Sequence, residues 1–366
     1  MGAIRRLYRG ENAVDFPRWW RRGLVLSGLL LVVSVASLLT RGLNLGIDFE
    51  GGTAWELPAP GVSVADARDV LVGVGEGGAK IQIVGTDTLR VQADTSDPVQ
   101  QEAVRAVLAE RAGVDVGEVS VSTVGPSWGE EITRAAVRAL VIFLLAILAY
   151  LSFRLEWEMA VGAIVAVIHD VIISVGVYSV FQFEVTPATV IAFLTILGYS
   201  IYDTIVVYDK VKENEGRVGL AGRMTYTEMM SLSLNQVLLR SVNTTITSLL
   251  PVVSLLVVGS WLLGAVTIQE FAIALFIGLL SGAYSSIFIA GPVVAAMKER
   301  RPQYRRIRER LAQSRAQGGG TPVEAVAVAT AGDGGADGDR ERRTSAATMP
   351  PSGVIPPRPR KKTKRR

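Results

Sequence analysis

Cysteine is absent from the 366 residues, and histidine occurs once, at His169. Without thiols there is no disulfide framework, thiolate nucleophile, iron–sulfur cluster or cysteine zinc site. A lone imidazole cannot build a multi-histidine metal centre. Charge is also sparse: Asp, Glu, Lys and Arg make up 20% of the chain, whereas 49% is apolar. That charge gathers toward the two ends, and the middle holds long stretches with almost none. A simple soluble enzyme spreads its charge over its surface, so this distribution excludes one. The net charge of +4 is too small to argue for nucleic acid. No phosphate loop, metal-ligand set or nucleophile–base pair occurs, so neither catalysis nor a cofactor is expected.

Six segments are apolar enough, and at roughly 20 residues long enough, to cross a bilayer as helices. They cover residues 24–40, 135–153, 159–183, 188–208, 237–264 and 266–290. The first follows RWWRR and has no small-x-small cleavage signal after it, which reads as an uncleaved helix rather than a signal peptide. Lys and Arg decide the orientation. They cluster in the N-terminal stretch 1–23 (Arg5, Arg6, Arg9, Arg18, Arg21, Arg22), at Arg154, in the loop 209–236 (Lys210, Lys212, Arg217, Arg223) and at the start of the tail 291–366. The turns FQFEVTPA and GSWLLGAVT carry neither. Both termini are therefore expected in the cytoplasm of a plasma-membrane protein. From Gly318 onward the tail is Gly-rich and Pro-rich and ends PPRPRKKTKRR. It reads as disordered, with anionic lipid or ribosomal RNA as contacts its basic end could make.

Residues 41–134 then form an external domain. TAWEL, AKIQIV, TLRVQA and EVSVSTV alternate like half-buried strands, and Gly85–Asp87 is a hairpin signal. Ser63–Val72 carries a near capping box at Ser63 and Asp66, and Asp97–Glu110 repeats apolar residues at helical spacing after Pro98. The order β-α-β-β-α-β is the ferredoxin-like, split βαβ plan. The fold class expected is thus a six-helix membrane protein with an external α+β domain between the first two spans. LNLGIDFEGG, with Gly46, Asp48, Gly51 and Gly52, reads as a hinge where the domain leaves the first helix.

Charge inside a membrane needs a reason. Asp203 lies about five residues above the inner end of the fourth span, and Arg240 about a turn into the fifth, at a comparable depth. Beyond Arg240, Asn243, Thr244, Thr247 and Ser248 continue one helical stripe. Tyr199, Tyr202 and Thr204 surround Asp203. Such a layer reads either as a proton switch, in which protonating Asp203 frees Arg240, or as a static buried pair fixing helix packing. Pro251 leaves the Thr247 carbonyl without its usual donor, which favours the switch. His169 and Asp170, in the third span, either join this polar interior or brace it. Glu184 and Glu270 lie near the outer ends of their spans and can reach the interface. Gly278 and Gly282, followed by Ser285 and Ser286, form a small-residue face for close helix contact.

Several segments resemble the SecD/SecF family of protein-export subunits, within the resistance–nodulation–division superfamily. They are LGIDFEGGT (Leu45–Thr53), AVIHDVII (Ala166–Ile173), LGYSIYDTIVVYDKVKEN (Leu197–Asn214), LRSVNTTITSLLP (Leu239–Pro251) and GLLSGAYSSIFIAGP (Gly278–Pro292). The small external domain suits the SecF side of the pair. The resemblance implies a complex with SecD and the SecYEG channel, with a YidC-type insertase and SecA-driven preproteins nearby and membrane lipid around it. It also implies protons as the coupling ion, with Asp203 and Arg240 as the coupling charges. Tyr202 stands where the family usually has Asn. Two other readings remain open at this level: half of a small-molecule pump of the same superfamily, and a passive scaffold for SecD.

Overall fold

The computed structural model describes residues 14–85, 87–217, 224–262 and 265–316. Arg5, Arg6, Arg9, Arg223, Thr86 at the hairpin tip, and the tail from 317 lie outside the described residues.

Among the described residues, six helices are long and apolar enough to cross a membrane. They are α1 (Phe16–Arg41), α4 (Pro126–Arg154), α5 (Trp157–Phe181), α6 (Pro187–Arg217), α7 (Tyr226–Ser254) and α8 (Val266–Ser285). Between α1 and α4 come strand β1 (Asn44–Leu45), a short helical turn (Ile47–Glu50), β2 (Gly52–Pro58), α2 (Val64–Gly73), β3 (Lys80–Val84), β4 (Thr88–Ala93), α3 (Pro98–Ala112) and β5 (Ser120–Val124). Strand β6 (Glu184–Val185) separates α5 from α6. A π turn, Leu255–Leu262, follows α7. Another, Ser286–Ala290, joins α8 to α9 (Gly291–Lys298), and α10 (Pro302–Ala316) comes last.

The α+β domain follows the expected βαββαβ order. Its four strands line up β3-β4-β2-β5, every neighbouring pair antiparallel. Period-two alternation assigns the two faces. Trp55, Leu57, Leu89 and Val91 point to one side and pack with Ala67 and Leu71 of α2 and Val104 and Leu108 of α3. Glu56, Arg90 and Gln92 alternate with them and so occupy the other face. The α2 capping box is complete: Ser63 accepts from the Asp66 amide, and the Asp66 carboxylate accepts from Ser63. Those Ser63 hydrogen bonds, with Arg111 adding to them, hold the Asp66 carboxyl down at about 2.

Several helices run past the apolar stretches that mark them in sequence. α1 starts at Phe16, with Pro17 in its first turn, and buries Phe16 and Trp20. α4 starts at Pro126, and its Gly129 sits on the Phe49 carbonyl, where a Cβ would come within 2.6 Å. The loop expected over 209–236 is mostly helix. α6 continues to Arg217, and α7 begins at Tyr226 behind a Thr225–Glu228 capping box. Asn214 ties the two ends together through Ser233 and Gln236, both at 2.8 Å. Residues 291–316, expected to belong to a disordered tail, form α9 and α10. Lys298, only 1% exposed, explains this. Its ammonium meets Glu156 at 2.5 Å and lies over the Tyr226 and Tyr304 rings, while Arg301 pairs with Glu158. These contacts stitch the end of α9 and the start of α10 to the start of α5.

Candidate functional site

Asp170 and Asp203 lie within the helix bundle, and small residues are what bring helices close enough to serve them. A Cβ on Gly282 of α8 would lie 2.8 Å from the Ser200 Cβ of α6, and one on Gly278 would strike Ile196. This is the close contact the small-residue face implies. In the space so gained, Asp170 of α5, 1% exposed, accepts four hydrogen-bond contacts. Ser281 donates at 2.6 Å to one oxygen, and His169 Nδ1 lies 3.2 Å from the same oxygen. Ser200 donates at 2.6 Å and Ser285 at 2.7 Å to the other. An ionised carboxylate is acceptor-only and takes about four such bonds, so the site is matched to it. His169 stacks on Tyr284 with ring centroids 6.0 Å apart, and Tyr284 donates to the Gly23 carbonyl of α1.

Asp203 of α6 is half-buried. Its two oxygens accept from Ser241 of α7 at 3.0 Å and from Ser286 at 2.7 Å. Ser285 and Ser286 therefore serve one carboxylate each, at the step where α8 gives way to the π turn. Local π geometry of this kind recurs at functional sites.

Asp203 and Arg240 lie on adjacent helices in one layer, as the sequence suggests, but they are not a direct ion pair; Arg240 instead reaches the Tyr202 hydroxyl at 3.4 Å. Successive helical residues diverge by about 100°. Ser241 takes the direction toward Asp203, and Arg240 is turned to the open side, where Tyr202 also points. Asn243 and Thr247 share that exposed side. Thr247 and Thr244 spend their hydroxyls on carbonyls one turn back, at Asn243 and Arg240. The stripe expected to face Asp203 thus borders it instead. Of its members, Thr244 lines a crevice of about 20 Å³ beside Tyr199, Tyr202 and Asp203. Ser248 meets the Tyr199 hydroxyl at 2.5 Å. Thr204 is buried and donates to the Ser200 carbonyl.

The expected hinge is closely packed. Leu45 pairs with Val185 in the parallel β1–β6 ladder, and the Gly46 amide donates to the Val185 carbonyl. A Cβ on Gly46 would strike the Glu184 carboxylate. Gly51 and Gly52 hold positive φ, and a Cβ on Gly52 would lie 2.6 Å from the Ala93 carbonyl. Asp48 is half-buried nearby.

Sequence reasoning missed a third cluster, at this junction. Arg90 of β4 faces Glu270 of α8 at 2.7 Å, Glu184 at 3.2 Å and Glu56 at 3.2 Å, and Gln92 donates to Glu184 at 2.6 Å. Glu184 and Glu270 are buried here rather than set at an interface. Burial raises the Glu184 carboxyl above its ordinary value, against the pull of Arg90. The available signal was the alternation in TLRVQA, which puts Arg90 and Gln92 together on the sheet face away from the domain core.

Residues 103–300 match the family described as protein export membrane protein SecD/SecF, C-terminal, and residues 36–54 match the SecD/SecF GG motif. The second match contains the glycine-rich junction just described. The chain is 39% identical over 347 residues to the protein translocase subunit SecF of Streptomyces coelicolor, covering 94% of this chain and 92% of that one. It is 39% identical over 288 residues to the protein translocase subunit SecDF of Thermus thermophilus, covering 75% of this chain and 37% of that one. The crystal structure of SecDF, a translocon-associated membrane protein from Thermus thermophilus, superposes with a TM-score of 0.71 at 35% identity, over 80% of this chain and 39% of that chain. The six spanning helices, the glycine-rich junction and these likenesses agree: the chain is a multi-pass membrane protein and belongs to the SecD/SecF family of protein-export membrane proteins.

Proposed function

We propose that the protein is the SecF-type half of a SecD–SecF pair that assists polypeptide export across the plasma membrane by drawing on the proton gradient. The single observation carrying this reading is Asp203, a carboxylate within an apolar bundle. Ser241 and Ser286 reach it from two other elements, with Arg240 and Tyr202 beside it. Hydroxyls donate to an ionised carboxylate and accept from a protonated one, so either state is accommodated. One charge crossing 100 mV gains about 2.3 kcal/mol, enough to bias two packings a few kcal/mol apart. The distribution of Lys and Arg supports an external α+β domain, with α9 and α10 on the cytoplasmic side. Tyr202, Arg240, Asn243 and Thr247 present a polar surface unsuited to lipid. The chain spans 39% of a SecDF chain, which supports a SecD-type partner as the cover for that surface. Movement of the bundle passes to the α+β domain, which holds and releases the emerging polypeptide at the channel.

Purification from native membranes tests the assembly, which should bring a SecD-type subunit and the channel with it. In vesicles carrying the assembled complex, Asp203→Asn should abolish the gradient-dependent part of export and spare the ATP-driven part. Normal gradient dependence in that variant would leave only the scaffold reading.

A further inference from the structure

Buried Asp170 and half-buried Asp203 are held in unequal ways. Asp170 joins three helices: it sits on α5, Ser200 comes from α6, and Ser281 and Ser285 from α8, all within 2.7 Å. None of these hydrogen bonds involves α7. α1 is fastened to the same group, since Ser37 on α1 meets Ser179 on α5 at 2.8 Å and Ser27 meets Tyr284 at 2.9 Å. α7 is tied to α6 at its start through Asn214 and is held differently farther along. In the layer around Asp203, its polar links are Ser241 to Asp203, Arg240 to Tyr202 and Ser248 to Tyr199. Tyr199 and Tyr202 are 43% and 56% exposed, so two of the three links lie at the open surface. In its most apolar 18-residue stretch only 11% of α7 is buried, against 50%, 39% and 44% for the corresponding stretches of α5, α6 and α8. Pro251 interrupts its hydrogen-bond ladder, and the helix ends in a π turn.

From this asymmetry we infer that Asp170 is a positioning residue that pins α5, α6 and α8 into one unit, so that a proton arriving at Asp203 is answered by movement of α7 alone. This rests on the proton-coupled reading of Asp203 given above. Ser285 stays committed to Asp170 while Ser286, the next residue and the first of the π turn, responds to Asp203. When Asp203 takes a proton, one of its oxygens becomes a donor, so the serine on that oxygen turns acceptor while the other serine goes on donating. Because α8 is pinned through Ser285, the change is expressed on the Ser241 side. α7 carries Arg240 with it.

The chain has no cysteine, so introduced pairs react without background. In the assembled complex in vesicles, a disulfide between Ser37→Cys and Ser179→Cys should leave gradient-dependent export unchanged, since both positions lie in the pinned unit. A short bismaleimide link between Tyr199→Cys and Ser248→Cys should stop it, whereas the unlinked pair retains more activity than the linked one. Asp170→Asn should lower gradient-dependent export about tenfold or more, as loss of hydrogen bonds to a charged group implies. Complex recovery and ATP-driven export should hold. Ser285→Ala should fall similarly, and Ser285→Thr, which keeps the hydroxyl, should restore it. Full activity of Asp170→Asn, or of the α6–α7 linked pair, overturns the inference, as does loss of activity in the oxidised Ser37–Ser179 pair. Asp203→Asn run alongside separates the two failures: if it retains gradient dependence, the proton-coupled reading itself is wrong. If it loses gradient dependence while Asp170→Asn keeps it, only the pinning role falls.

Discussion

Buried carboxylates are managed in two ways in this molecule, and the contrast assigns each region its task. In the bundle core, Asp170 and Asp203 are ringed mainly by serine hydroxyls. At the junction with the α+β domain, Glu184 and Glu270 converge on one guanidinium, that of Arg90. A hydroxyl can donate or accept, so the core tolerates a change of protonation without stranding a polar group. A guanidinium only donates and stays charged, so the junction keeps a fixed cation among its carboxylates. The core is built to change state and the junction to transmit force.

Arg90→Ala is expected to break this comparison hardest. It leaves Glu184 and Glu270 buried with no cation between them, at a cost of roughly 3–5 kcal/mol. Hydrogen exchange in β1, β6 and β4 should rise sharply, while the bundle helices keep their protection. Asp203→Asn, whose amide still meets both serines, should shift the thermal midpoint far less. Equal losses in the two variants would erase the distinction drawn here.

Gly52→Ala comes next. Its backbone is at φ +112 and a Cβ would meet the Ala93 carbonyl at 2.6 Å, so roughly 1–3 kcal/mol of strain falls on the junction. Limited proteolysis between β2 and β4 should accelerate, with gradient-dependent export reduced in proportion.

The smallest effect sharpens the comparison through pH. Burial raises Glu184 above its unfolded value of 4.5. The folded form therefore binds a proton before the unfolded one, and this group's contribution to stability is greatest at acidic pH and declines as pH rises through the folded value. Protection of the β1–β6 amides should increase on mild acidification, and Glu184→Gln should remove that dependence.

Much of the architecture is legible in the sequence. Alternation in TAWEL, AKIQIV and TLRVQA, with caps at Ser63 and Asp97, gives the βαββαβ order, and the apolar runs locate all six spans. Helix ends were less visible because capping, not hydropathy, sets them: α7 begins at the Thr225–Glu228 box, well before its apolar run. α10 escaped notice since an arginine-rich segment looks like a solvated tail until Tyr304 and Lys298 anchor it. Depth along the spans sets Asp203 and Arg240 in one layer, yet a one-residue rotation decides that Ser241 rather than Arg240 faces the carboxylate. The serines around Asp170 come from two other helices, and the glutamates at Arg90 from separate loops and spans. Such convergence depends on helix rotation and domain seating, which no local pattern encodes.

Infrared spectra recorded across a pH series on the membrane-embedded complex test the central claim most directly. A carboxylic-acid band that appears and disappears with pH is expected, present in Asp170→Asn and absent in Asp203→Asn. A titrating band that survives in Asp203→Asn, or no such band in the unaltered protein, would contradict the assignment of Asp203 as the group that carries the proton.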